Sequence, residues 1–162
     1  MAPPNIKLHT SIVDKFKKLW KYYFLQSSLA GIALFIIVIA LGKDRIVAIS
    51  AMGATAFIVF AMPNDISAKT RNVIGGHLVG LVSGTIFYFA PLPYFIEYPI
   101  VVGITVFVMV ALDAEHPPAA GTALAVVISE AYPLDVFVTV MIGAVILSQC
   151  RYYLRHHLKD LV

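Results

Sequence analysis

The chain has 162 residues, a net charge of +3, 60% hydrophobic residues and only 13% charged ones. A soluble domain carries roughly 25% charged residues and about 45–50% apolar ones. That much apolar surface cannot be hidden inside one soluble core of this size, so the composition points to one all-α unit with lipid as its solvent.

The Lys and Arg residues fall at the chain ends and in short loops rather than along one face. They read as topology signals. No base-stacking or DNA-reading motif is visible, so no nucleic-acid partner is expected. Cys150 is the single cysteine, which excludes an intramolecular disulfide and reads as an ordinary buried thiol.

In chain order, Ile12, Phe16, Leu19, Trp20 and Tyr23 recur at helical spacing, with Lys15, Lys17, Lys18 and Lys21 between them. Ser11 and Asp14 form a possible capping box. Residues 1–22 are expected to be an amphipathic helix lying at the membrane surface, or a cytosolic extension of the first span. The first long apolar run begins after about twenty mostly polar residues with no small-residue cleavage site, so a signal peptide is not expected.

Residues 23–151 form the expected transmembrane domain, and 152–162 a cytoplasmic tail. Apolar runs extend from Phe24 to Leu41, Ile46 to Met62, Val73 to Ala90, Tyr94 to Leu112, Ala119 to Ser129 and Leu134 to Cys150. The fifth is short: eleven helical residues cover about 16 Å, against a hydrocarbon core of roughly 30 Å.

Charge favours a crossing there. With six passages the inner side holds ten basic residues: Lys7, Lys15, Lys17, Lys18, Lys21, Lys69, Arg71, Arg151, Arg155 and Lys159. The outer side holds only Lys43 and Arg45. Both termini are then cytoplasmic. Without that crossing the count becomes seven against five, because three C-terminal residues move outside.

The six runs divide into two similar halves. "AMGATAFIVF" from Ala51 and "AAGTALAVVI" from Ala119 are offset by 68 residues, and each follows a charged linker. Three passages per half would invert the second half, as in transporters with paired interrupted helices. Packing through small residues is the plain alternative. If the chain enters as extended backbone at Ile46–Ser50 and Glu115–Pro118, two helix N-termini face each other near the midplane. Their free N–H groups make a small-anion site without buried Lys or Arg. Gly53 and Gly121 would admit the ligand to the backbone, and Ser50, Thr55 and Thr122 would add hydroxyls. Pro117 and Pro118 suit a lead-in and first helical turn.

"EHPPAAGTAL" (Glu115 to Leu124), "GATAFIVFAMP" (Gly53 to Pro63) and "TRNVIGGHLVG" (Thr70 to Gly80) together resemble segments of the HPP family of integral membrane proteins. The resemblance covers roughly Ser27 to Arg151. That family is commonly described with four spans, fewer than the six read here. Its chloroplast and cyanobacterial members are implicated in nitrite transport, so the resemblance implies nitrite or a similar small anion as cargo. The expected location is a bacterial plasma (inner) membrane.

His116 reads as a ligand-contacting or proton-carrying group, or as one that fixes its loop by hydrogen bonding. His77 is an ionisable group inside a span, functional or bonded to a neighbouring helix. Lys69, Arg71 and Asn72 are expected at the cytoplasmic rim. Asp113 and Glu115 repel anions and are expected to cap a helix or pair with Arg71 or Lys69. His156 and His157 lack a third ligand, so no metal is expected, and no cofactor either. The leading function is small-anion transport by a carrier rather than by an enzyme. The alternatives are a channel on the same scaffold, a membrane enzyme using His116 with Asp113 or Glu115, and a structural subunit. A homo-oligomer of unspecified number is expected, since short segments match a bilayer better in an assembly.

Overall fold

A computed structural model of the protein describes residues 12–41, 46–90, 92–129 and 132–162. Lys7, Ser11, Lys43, Arg45 and Glu130 lie outside the described residues. The described chain forms six helices and no strand: α1 Ile12–Leu41, α2 Ile46–Ala61, α3 Thr70–Tyr88, α4 Tyr94–Ala111, α5 Pro118–Ile128 and α6 Pro133–Leu154. A 3₁₀ turn, Ile66–Ala68, leads into α3.

Helices α1, α4 and α6 contain windows long and apolar enough to cross a membrane. Helices α2 and α5, of 16 and 11 residues, span only about 24 and 16 Å. Residues 12–22 continue into the first span, as the second of the two readings has it: α1 runs unbroken for 30 residues, because no Gly or Pro interrupts the chain where the amphipathic stretch meets the apolar run. Likewise α2 is already helical at Ile46, so residues 46–50 are not an extended lead-in. Nothing between Ile46 and Met52 breaks a helix.

Large apolar side chains point outward, Phe24, Phe35, Ile39, Ile86 and Phe107 among them. Polar ones are buried: Gln26, Thr55, Asn72, His77, Thr105, His116, Thr122, Thr139 and Ser148. This inverts the soluble pattern and is what a lipid solvent requires. The apolar core is built on Ile37, Met52, Val59, Phe60, Leu81, Val126, Val140 and Leu147.

Helix α3 packs on α5 through Gly76, Gly80 and Gly84, one residue per turn along one stripe. A Cβ at Gly76 would lie 2.6 Å from the His116 Cβ, one at Gly84 2.7 Å from the Ala123 carbonyl oxygen, and one at Gly80 would overlap the Ala119 carbonyl. Such close approach maximises dispersion contact where lipid offers no hydrophobic drive between helices. On the other side, Gly143 of α6 lets the Met52 sulfur of α2 within 2.7 Å of where a Cβ would stand.

Most of the helix contacts within and between α1–α3 and α4–α6 have counterparts, the contact of α5 with α6 excepted. Helix α1 lies on α2 as α4 lies on α5, α3 on α5 as α6 on α2, and α3 on α4 as α6 on α1. Contacts of α2 with α5 and of α3 with α6 join the halves.

One end of the bundle gathers the charge. Arg151 donates to the Pro63 carbonyl, Asn64 to Asp160, and the Leu161 amide to the Ala61 carbonyl at 2.9 Å. Gln26, 1% exposed, donates to the carbonyls of Phe60 and Lys159, and its Oε1 accepts from the Lys159 amide at 3.0 Å. Phe60 lies in the last turn of α2, where helix carbonyls lack intrahelical partners, so Gln26 closes that helix end.

Two predictions follow from this packing. Gly80→Leu should disrupt the α3–α5 contact, costing roughly 1–3 kcal/mol or more, while Gly103→Ala, where nothing lies within 4 Å, should be neutral; thermal unfolding in detergent reads both. Gln26→Leu should destabilise by about 1–3 kcal/mol through buried backbone groups left unpaired, measured in the same assay.

Candidate functional site

The site begins with how the chain leaves α4. The amide of Asp113 reaches the Val110 carbonyl at 3.2 Å and that of Ala114 the Met109 carbonyl at 2.9 Å, the paired bonds of a Schellman motif. The reversal needs a left-handed residue, and Asp113 supplies it with φ 53°. Arg71 of α3 holds the turn from outside: its guanidinium pairs with the Asp113 carboxylate at 3.0 Å and donates to the Leu112 carbonyl at 3.1 Å. Asn72 donates to the Glu115 carbonyl at 3.2 Å.

This turn carries His116 inward, and Pro117 and Pro118 then start α5 at a fixed place. Pro118 occupies the first turn, where a missing N–H costs nothing. The next amides are already used: Ala119 donates to the His116 carbonyl at 2.9 Å and Ala120 to the Pro117 carbonyl at 3.2 Å. The α5 N-terminus therefore lacks the free N–H groups expected there.

Four side chains of α2, α3, the turn and α5 meet in one chain of hydrogen bonds. Thr55 Oγ1 lies 2.9 Å from His77 Nε2 and 3.0 Å from His116 Nε2. His77 Nδ1 lies 2.8 Å from Thr122 Oγ1, and His116 Nδ1 lies 2.7 Å from the Ser67 carbonyl oxygen. The two rings stand edge to face with centroids 4.8 Å apart, and all four side chains are fully enclosed.

A carbonyl only accepts, so His116 Nδ1 carries a hydrogen and, in the neutral ring, Nε2 accepts. With both rings neutral and the Thr55 hydrogen turned to His116 and not to the Ala51 carbonyl, also 3.0 Å away, His77 Nε2–H donates to Thr55 and Thr122 donates to His77 Nδ1. Every bond runs in one direction, from Thr122 to Ser67.

The Ser67 end is held from outside the spans. The Asp65 carboxylate accepts from the Ser67 amide at 2.8 Å and the Ser67 hydroxyl at 2.5 Å. These bonds, the hydroxyl's first, hold the Asp65 carboxyl below its ordinary pKa against a small opposing effect of burial. A depressed carboxylate stabilises the fold above its unfolded pKa, and that contribution is lost as pH falls through the lower, folded value.

Of the residues singled out from sequence, Thr55, His77, His116 and Thr122 converge. Gly121 sits beside Ala51, 3.6 Å from its Cβ to where a Cβ on the glycine would stand. Helices α2 and α5 thus pass side by side in opposite directions, Thr55 against His116 and Ala51 against Gly121, so their starts do not meet head to head. Gly53 faces Leu34 of α1 and lines a cavity of about 370 Å³ between α1 and α2, away from the histidines. Ser50 is exposed, as are Lys69, Arg71 and Pro117. Asn72, expected at the rim, is buried because its amide holds the turn. Pro118 is buried. Ser67 and Gln26 were not singled out; for Gln26 the signal was a lone amide inside an apolar run.

The model for the HPP transmembrane region matches residues 16–157, nearly the whole described chain. The chain belongs to the HPP family. No curated protein and no solved structure matched it. With its apolar helices, membership makes this HPP protein an integral membrane protein. The His-Pro-Pro triplet of its sequence now has a physical reading: a histidine buried in the hydrogen-bonded core, and two prolines that set where α5 begins.

Two predictions concern the turn. Asp113→Gly should leave stability unchanged or slightly raised, because glycine adopts the left-handed conformation freely and an exposed ion pair contributes under about 1 kcal/mol. Asp113→Val should destabilise clearly. Chemical unfolding of both variants checks the pair.

Proposed function

We propose that this HPP protein moves a small inorganic anion across the bilayer, with nitrite as the cargo, and that it acts as a carrier and not as an enzyme. The observation that carries the reading is the buried Thr55–His77–His116–Thr122 chain. Polar and ionisable groups are costly in a membrane and persist where a pathway uses them. They sit where α2 and α5 pass, and the cargo is read as crossing along that seam, beside Gly121 and Thr122, rather than between two opposed amide ends.

The matched contacts between α1–α3 and α4–α6 support two inverted repeats and six passages. The halves differ in length, α1 having 30 residues and α4 18. Lys15, Lys17, Lys18, Lys21, Lys69, Arg71, Arg151, Arg155 and Lys159 lie toward the charged end, which supports a cytoplasmic placement of both termini in a bacterial plasma membrane. Short helices α2 and α5 favour a homo-oligomer.

Purified protein in liposomes should take up nitrite faster than empty liposomes. His116→Ala and Gly121→Leu should lower that uptake by at least tenfold while the protein remains folded by circular dichroism. Uptake no faster than in empty liposomes removes nitrite as cargo.

A further inference from the structure

We propose that His116, Thr55 and His77 form a relay for a single proton, and that the anion crosses together with the proton they carry. The coupling rests on the transport reading; the relay does not.

The hydrogen count leads to this. Thr55 Oγ1 has three partners within reach: His77 Nε2 at 2.9 Å, His116 Nε2 at 3.0 Å and the Ala51 carbonyl at 3.0 Å. A hydroxyl donates once and accepts twice. With both rings neutral, its hydrogen goes to His116 and the Ala51 contact stays unused. If the hydrogen turns to the Ala51 carbonyl, both rings must donate to the oxygen. His116, whose Nδ1–H is already fixed by the Ser67 carbonyl, then carries hydrogens on both nitrogens. The same atoms in the same places thus accept one more proton, and a rotating hydroxyl hydrogen is the only motion needed.

The proton has a second seat. With Thr55 donating to His116, His77 becomes the cation by donating Nε2–H to Thr55 and Nδ1–H to Thr122 at 2.8 Å. Transfer between the seats takes two hops. With His77 in its Nδ1–H tautomer, donating to Thr122, and the Thr55 hydrogen turned to the then bare His77 Nε2, His116 Nε2 gives its proton to Thr55 Oγ1 as that oxygen gives its own to His77 Nε2. One N–H and one O–H bond break, one of each forms, and the positive charge moves from one ring to the other. A hydronium ion at the charged end supplies the proton and leaves as water.

The surroundings make this charge consequential. Among the described residues no Lys or Arg is buried, so His77 and His116 are the buried groups able to turn cationic. On the segments packed around the pair, the charged side chains are Asp65, Lys69, Arg71, Asp113, Glu115 and Arg151 toward the charged end, and Glu97 and Asp135 in the first turns of α4 and α6 at the other; α2 and α5 carry none. An unpaired anion in hydrocarbon is strongly disfavoured, and a proton on this pair neutralises it one for one.

The full chain in liposomes holding a pH-sensitive dye tests the coupling, with empty liposomes correcting for nitrous acid permeation. Nitrite uptake is expected to acidify the lumen by one proton per anion. Thr55→Val, which keeps shape and loses the hydroxyl, should reduce both fluxes at least tenfold, and Thr55→Ser should retain them. Nitrite entry without acidification overturns the coupling and leaves the transport reading intact. Absence of nitrite entry in the wild type counts against the transport reading alone, and the relay is then decided by ¹⁵N NMR of the histidine-labelled chain in lipid. One proton shared by His77 and His116, with sharing lost in Thr55→Val, supports the relay. Independent titration of the two rings in the wild type overturns it.

Discussion

The passage of α3 against α5 at backbone distance is the constraint on which the rest depends. Gly76, Gly80 and Gly84 strip one face of α3 of side chains, and α5 settles there with its own small residues. Only at that separation can a histidine on the α3 helix reach a threonine on α5 directly, and only then does His116 fit over Gly76. The polar chain is a product of close packing; a bulkier seam would hold the same residues too far apart to bond.

The turn between α4 and α5 makes the complementary contribution. A left-handed Asp113 and the two prolines after His116 fix direction and start, so the imidazole enters the core with one nitrogen committed to the Ser67 carbonyl. With the Thr55 hydrogen turned to His116, that commitment sets the hydrogen direction of the whole chain. The His-Pro-Pro triplet is thus a device for orientation as much as for chemistry.

Much of this was legible in the sequence. Apolar runs and their breakers located all six helices, and Pro117–Pro118 placed the start of α5 to within a residue. Thr55, His77, His116 and Thr122 stood out as polar groups in apolar surroundings. Their mutual bonding did not, because the partners are 22, 61 and 45 residues apart along the chain. Of the two readings of residues 12–22, continuity with the first span is the one observed, because no breaker separates them from the apolar run. Free amides at the start of α5 follow from the general rule for helix N-termini; the bonds back to the His116 and Pro117 carbonyls that take up two of them depend on the geometry of the turn.

The binding of the last residues to Gln26 bears on how the molecule is made. Gln26 belongs to the first helix, yet its amide is satisfied only when Lys159 arrives. Until synthesis reaches that point the Phe60 carbonyl is the partner within reach, and the rest of the Gln26 amide stays unpaired in an apolar setting. The clasp on Gln26 therefore closes only after the six described helices have been made.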